Sequence, residues 1–299
     1  MDASFAPENT FANQVHRWRT NDALCLVAEE IRAENPPSVL FAHGFGQTRQ
    51  SWSGAQLALA QNGIGSIAWD MRGHGESGRN PDALHYHAEQ FADDVLLLTR
   101  QFEQKPLLVG ASMGGLTGMM AQAQHDVFSA LVLVDVTPRW EVAGVARIMA
   151  FMNAFPDGFD SFEHAADVIA NYLPQRRMRK NSKQLKFLLR EYRGRFFWHW
   201  DPRMLSEFVE HSEHLQDAIR EAARQIKVPI LLISGGKSDI VSAQTVADFL
   251  QLVPHAQHHH LPEATHMVAG DENDAFNDTL LNFKRTLSQQ PYVVTGVSA

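Results

Sequence analysis

The chain has 299 residues, 44% of them apolar and 20% charged, with a net charge of −8. That balance excludes a disordered, collagen-like or coiled-coil chain, and it gives no chain-wide basic footprint for nucleic acid. A single cysteine, Cys25, excludes an intrachain disulfide and a thiolate metal cluster. The first residues lack the basic-then-apolar pattern of a secretory signal, and no apolar run approaches the roughly 20 residues of a membrane span. The expectation is a cytoplasmic protein that engages small molecules rather than nucleic acid or membrane, with a chain long enough to bury a sizeable core.

In chain order, short apolar runs bounded by glycine, proline or polar turns predict strands over 22–29, 38–42, 65–70, 106–111, 130–136, 229–234 and 256–261. Such runs suit strands buried on both faces. Helices are predicted over 51–61, 87–102, 113–124, 242–252 and 274–287; in the second, Phe91, Val95 and Leu98 share one face. Alternating strands and helices predict an α/β fold built on a parallel sheet. The alternation breaks over 139–215, where no strand is expected and 13 of the 28 aromatic residues fall. This enrichment points to a cap with an apolar underside. The expected organisation is a core from 1–138 and 216–299, with a helical cap inserted over 139–215.

The strongest chemical signal is Gly110-Ala111-Ser112-Met113-Gly114, a G-x-S-x-G motif directly after a strand and before a helix. The turn is tight, so small residues must flank the serine, and the helix amino terminus favours developing negative charge nearby. A glycine-rich junction with an incidental serine is the plainer alternative. A serine nucleophile needs a base, and the base an orienting acid, both following it in the chain in this context. His266, in a loop after the last predicted strand, is the candidate base. His258, His259 and His260 lie on that strand and alternate between its faces, so they read as strand or surface histidines.

Asp239, 27 residues before His266 and just after a strand, is the favoured acid; Asp135, at the end of the fifth strand, is the rival. The oxyanion donors are expected to be the backbone N–H groups of Met113 and of Phe45, in the loop His43-Gly44-Phe45-Gly46. His43 itself reads as a brace for that loop. Gly73, Gly75 and Gly78 match a dinucleotide fingerprint, but loop rather than helix follows them, so a braced turn around Asp70, Arg72 and His74 is expected instead.

Together His43-Gly44, Arg72-Gly73-His74-Gly75, the serine turn at Ser112, Asp239 and His266 resemble the α/β-hydrolase family over about 43–267. The Trp198-His199-Trp200-Asp201-Pro202 stretch is similar to the caps of some bacterial members. The resemblance implies a mostly parallel eight-stranded sheet flanked by helices, a cap domain and no cofactor. Epoxide hydrolases and haloalkane dehalogenases of this fold carry aspartate at the position of Ser112, so the similarity is rather to carboxylesterases, enol-lactonases, cofactor-free haloperoxidases and C–C bond hydrolases. Fold alone does not choose among them.

The function expected is hydrolysis of a small ester, lactone or other acyl substrate, with Trp140, Trp198 and Trp200 of the cap holding the acyl group. Acyl transfer or perhydrolysis by the same residues is the alternative, and a ligand receptor that retains them is a third reading. Residues 176–195 carry nine Lys/Arg and one acid. They read either as a solvated face or as a landing site for an anionic substrate or acyl carrier.

Overall fold

The computed structural model describes residues 11–172, 185–268 and 273–289, without the side chains of 206–213 and 273. The strands are β1 (Asn13–Arg19), β2 (Cys25–Ile31), β3 (Pro37–Ala42), β4 (Gly65–Asp70), β5 (Leu107–Ala111), β6 (Ala130–Val134), β9 (Ile230–Gly235) and β10 (Gln257–Leu261). They form one sheet in the order β1-β2-β4-β3-β5-β6-β9-β10. The pairs β1·β2 and β2·β4 are antiparallel and the others parallel. β4, β6 and β9 are buried along their whole length, as expected where helices cover both faces.

The covering helices are α1 (Ser53–Gln61), α2 (Ala88–Thr99), α3 (Met113–His125), α6 (Arg203–Gln225), α7 (Ala243–Leu252) and α8 (Asn273–Gln289). Val95, Leu116, Met119, Ile219 and Phe249, from α2, α3, α6 and α7, join Leu40, Trp69, Leu108 and Leu131 in the core on one face. Ala55, Leu59, Phe276 and Leu280, from α1 and α8, join Phe41, Ala68, Val109 and Val132 on the other. Successive strand residues thus feed opposite cores, the period of two that a strand imposes.

The eighth strand is β1, which sequence reading missed. Five of its seven residues are polar and five are exposed, because an antiparallel edge strand has little to bury and so carries no apolar run. The segment between β6 and β9 contains α4 (Val142–Asn153) and α5 (Phe162–Tyr172), but it also departs from the all-helical expectation. β7 (Leu189–Tyr192) and β8 (Arg195–Trp198) pair as an antiparallel hairpin. Arg193 and Gly194 both have positive φ, 51° and 75°, which is the two-residue turn whose twist suits a hairpin. Arginine replaces the usual Asn or Asp of that turn, so the signal was weak.

The hairpin, α4 and α5 enclose a small core of their own around Phe159, Ala165, Ile169 and Leu189. The boundary expected at 215 falls inside α6, whose later residues Ile219 and Ala223 are buried against the sheet. Residues 176–184 of the basic stretch, with five of its nine Lys/Arg, lie outside the described residues. Of its described part, Arg190 donates to the Gly75 carbonyl and Arg195 pairs with Asp160.

Candidate active site

Ser112 sits between β5 and α3 at φ 45°, ψ −118°, a region that L-residues rarely occupy and that persists only where surroundings enforce it. Here packing enforces it. A Cβ on Gly110 would come within 2.7 Å of the Gly114 backbone, and one on Gly114 would collide with the Ala42 backbone. Both motif glycines are therefore required by close approach. The turn lifts Ser112 to the carboxyl edge of the sheet at the N-terminus of α3, where the first N–H groups have no intrahelical acceptor.

His266 lies in the loop after β10, and its Nδ1 is 2.7 Å from Oδ2 of Asp135. The structure therefore corrects the favoured acid: Asp135, not Asp239, meets His266. The reason lies in strand order. β6 runs between β5 and β9, so the first residue beyond it emerges beside the Ser112 turn. Asp135 is fully buried at φ 49°. Its Oδ1 accepts the Gly235 N–H at 2.8 Å and its Oδ2 accepts the Ser238 hydroxyl at 2.6 Å. Asp239 lies four residues past the end of β9, carried outward to α4. There it accepts a 2.8 Å bond from Arg147, and its carbonyl lies where Gly144 of α4 has no room for a Cβ.

The loop after β3 is held by three buried histidines. His43 accepts the Met71 N–H at Nε2 (3.0 Å), so its Nδ1 donates to the Gly44 carbonyl (2.8 Å). His74 accepts the Gly46 N–H at Nε2 (3.2 Å) and donates from Nδ1 to the Arg72 carbonyl (3.2 Å). His199 accepts the Gly75 N–H at Nδ1 (2.8 Å) and donates from Nε2 to the Gly46 carbonyl (3.3 Å). Each ring thus has a fixed tautomer, and protonating it would oppose two N–H groups. Sequence reading assigned the bracing role to His43 and the turn to His74. It missed His199, which only the fold of the insert brings to Gly46.

Trp200 reaches the same loop, 5.7 Å ring to ring from Phe45. Asp201 fastens the segment to the turn at Gly73: its N–H donates to the Gly73 carbonyl, and its carboxylate accepts the Tyr86 hydroxyl and the Arg203 guanidinium. Asp70 receives the Arg49 and Glu76 N–H groups in that turn, and Arg72 binds Asp94 and Asp22. The glycines there serve a braced loop.

Burial holds all three histidines below the ordinary value of 6.5, His199 down to about 3. The unfolded chain protonates these rings below 6.5, while the folded chain does so only at lower pH. The unfolded state therefore binds more protons, and stability falls as pH drops from 6.5, by up to about 1.4 kcal/mol per unit per ring. Asp94, pushed up by burial to about 6, opposes this, since its folded form takes a proton first. Comparing wild type with His199→Gln isolates one ring. In denaturant titrations at pH 6.5 and 5, the wild type should lose about 1.4 to 2 kcal/mol more than the variant.

Ser112, Met113, Phe45 and His266 line one cavity of about 940 Å³, and Trp140, Trp198 and Trp200 line it as well. Trp198 and Trp200 stack with ring centres 4.7 Å apart. Among the described residues no group of three or more His, Cys, Asp and Glu is placed to hold a metal ion, and no helix is long and apolar enough to cross a membrane.

The sequence model of the alpha/beta hydrolase family matches residues 39–279. The chain is 30% identical over 256 residues to the sn-1-specific diacylglycerol lipase ABHD11 of Mus musculus, covering 83% of this chain and 80% of that protein. It is 27% identical over 256 residues to an esterase of Mycobacterium tuberculosis, covering 79% and 78%. The crystal structure of E-2-(acetamidomethylene)succinate hydrolase shares the fold with a TM-score of 0.77 at 22% identity, covering 91% and 100%. The chain belongs to the α/β-hydrolase family and is a hydrolase of that type.

Proposed function

We propose that the protein hydrolyses carboxylic esters through an acyl-enzyme on Ser112. The observation that carries this reading is the His266–Asp135 hydrogen bond beside the cavity that also exposes the strained Ser112 turn. With Nδ1–H held by Asp135, the imidazole keeps Nε2 free to take the serine proton. Ser112 Oγ then attacks the acyl carbonyl, and its oxygen gains negative charge facing the N–H groups of Phe45 and Met113. The imidazolium returns the proton to the departing alkoxide, and the C–O bond to it breaks. Water then gives a proton to His266 while its oxygen attacks the acyl carbon, and His266 passes that proton to Ser112 Oγ as the acyl C–O bond breaks, releasing the acid and restoring the serine.

The buried histidines keep the Phe45 N–H aimed by fixing both carbonyl and N–H of the neighbouring Gly46. The inserted segment acts as a cap, since it supplies one wall of the cavity and is tied to the loop through His199 and Trp200. The relatives' names span a diacylglycerol lipase and a hydrolase of a substituted succinate, so they leave the acyl group open.

Product analysis tests the reading and its nearest alternative. A p-nitrophenyl ester in buffer with added alcohol should give predominantly free acid; predominant transfer to the alcohol would make the protein an acyltransferase.

A further inference from the structure

Six of the ten methionines of the chain, Met113, Met120, Met149, Met152, Met204 and Met267, line the one cavity that holds Ser112. They come from α3, α4, α6 and the loop after β10, so methionines border the space from several sides. Methionine is unbranched and adjusts its rotamers to what it contacts. A wall built this way follows a flexible chain better than it selects a rigid shape. The stacked Trp198 and Trp200 add apolar surface. At about 940 Å³ the cavity stands near the upper end of ligand sites, far more than a short acyl group fills.

Charge narrows the choice further. Four charged residues line the cavity among those described: Arg147, Lys237, Asp239 and Glu89. Both cations already have a carboxylate partner, Arg147 in Asp239 at 2.8 Å and Lys237 in Glu263 at 2.6 Å. Glu89 is exposed and adds negative charge at the edge. A substrate carboxylate entering here would lose its hydration against partners already taken, which is costly.

We infer that the acyl group this site takes is a neutral, flexible aliphatic chain of medium length rather than a short or carboxylate-bearing one. The inference rests on the proposed Ser112 chemistry.

The test is a series of p-nitrophenyl esters from acetyl to dodecanoyl, together with the mono-p-nitrophenyl ester of octanedioic acid. Each methylene buried in an apolar wall is worth about three- to fourfold. kcat/KM should therefore rise at least about 100-fold from acetyl to octanoyl, and the octanedioic monoester should fall at least about 100-fold below octanoyl. A series that is flat or falls beyond acetyl, or an octanedioic monoester equal to octanoyl, overturns the inference while leaving Ser112 chemistry standing.

A binding arm separates the two ideas. Ethyl octanoate should raise the melting temperature of Ser112→Ala, and the monoethyl ester of octanedioic acid should not. Equal shifts, or none, count against the inference. Loss of ester turnover in the wild type with selective binding retained would overturn the Ser112 reading and leave the acyl class intact.

Discussion

Replacing Ser112 by alanine is expected to lower kcat/KM for p-nitrophenyl esters by about 10⁴-fold or more while leaving the protein folded. The size of the effect follows from the role: without Oγ no acyl-enzyme forms, and what remains is the stabilisation that oxyanion donors offer to direct attack by water. The fold should survive because alanine keeps the same Cβ in the same turn at φ 45°. The packing of Gly110 and Gly114 that enforces the turn is untouched. A midpoint of thermal unfolding within a few degrees of wild type, alongside the loss of turnover, separates chemistry from collapse. Turnover that survives the substitution would place the nucleophile elsewhere.

Much of the fold was legible because parallel strands covered on both faces must be apolar runs. The seven predicted strands correspond to β2, β3, β4, β5, β6, β9 and β10, with their ends displaced by up to three residues. β1 was invisible for the opposite reason, being a polar edge. The hairpin β7–β8 hid behind an atypical turn, Arg193-Gly194, inside a stretch whose aromatic side chains pack within the insert and against its own helices. That Ser112 and His266 come to one cavity was legible because local context places them: a strand–helix turn needing glycines, and a loop after the last strand.

The carboxylate partner of His266 was not legible in the same way. Asp135 and Asp239 each follow a strand, so spacing along the chain supports both, and only the spatial order β5-β6-β9 distinguishes them. His199 was hidden for a related reason, since its partners Gly46 and Gly75 are more than a hundred residues away in sequence.

That distinction gives the second large effect. Asp135→Asn should cost about 10⁴-fold in kcat/KM. An asparagine amide turned toward His266 donates to Nδ1, which moves the ring proton to Nε2 and leaves nothing to accept the Ser112 proton. Stability should change less than activity. Asparagine tolerates the positive φ of this position, and its carbonyl oxygen can still accept from Gly235 or Ser238. Asp239→Asn, by contrast, removes only a partly exposed pair with Arg147, worth about 0 to 1 kcal/mol, and should leave turnover of a neutral ester within about threefold.

Measuring kcat/KM of these two variants side by side on one neutral ester, with both shown to be folded, tests the assembled site most directly. The account predicts that Asp135→Asn falls at least about 10³-fold below Asp239→Asn. Equal activities, or the reverse order, would contradict it.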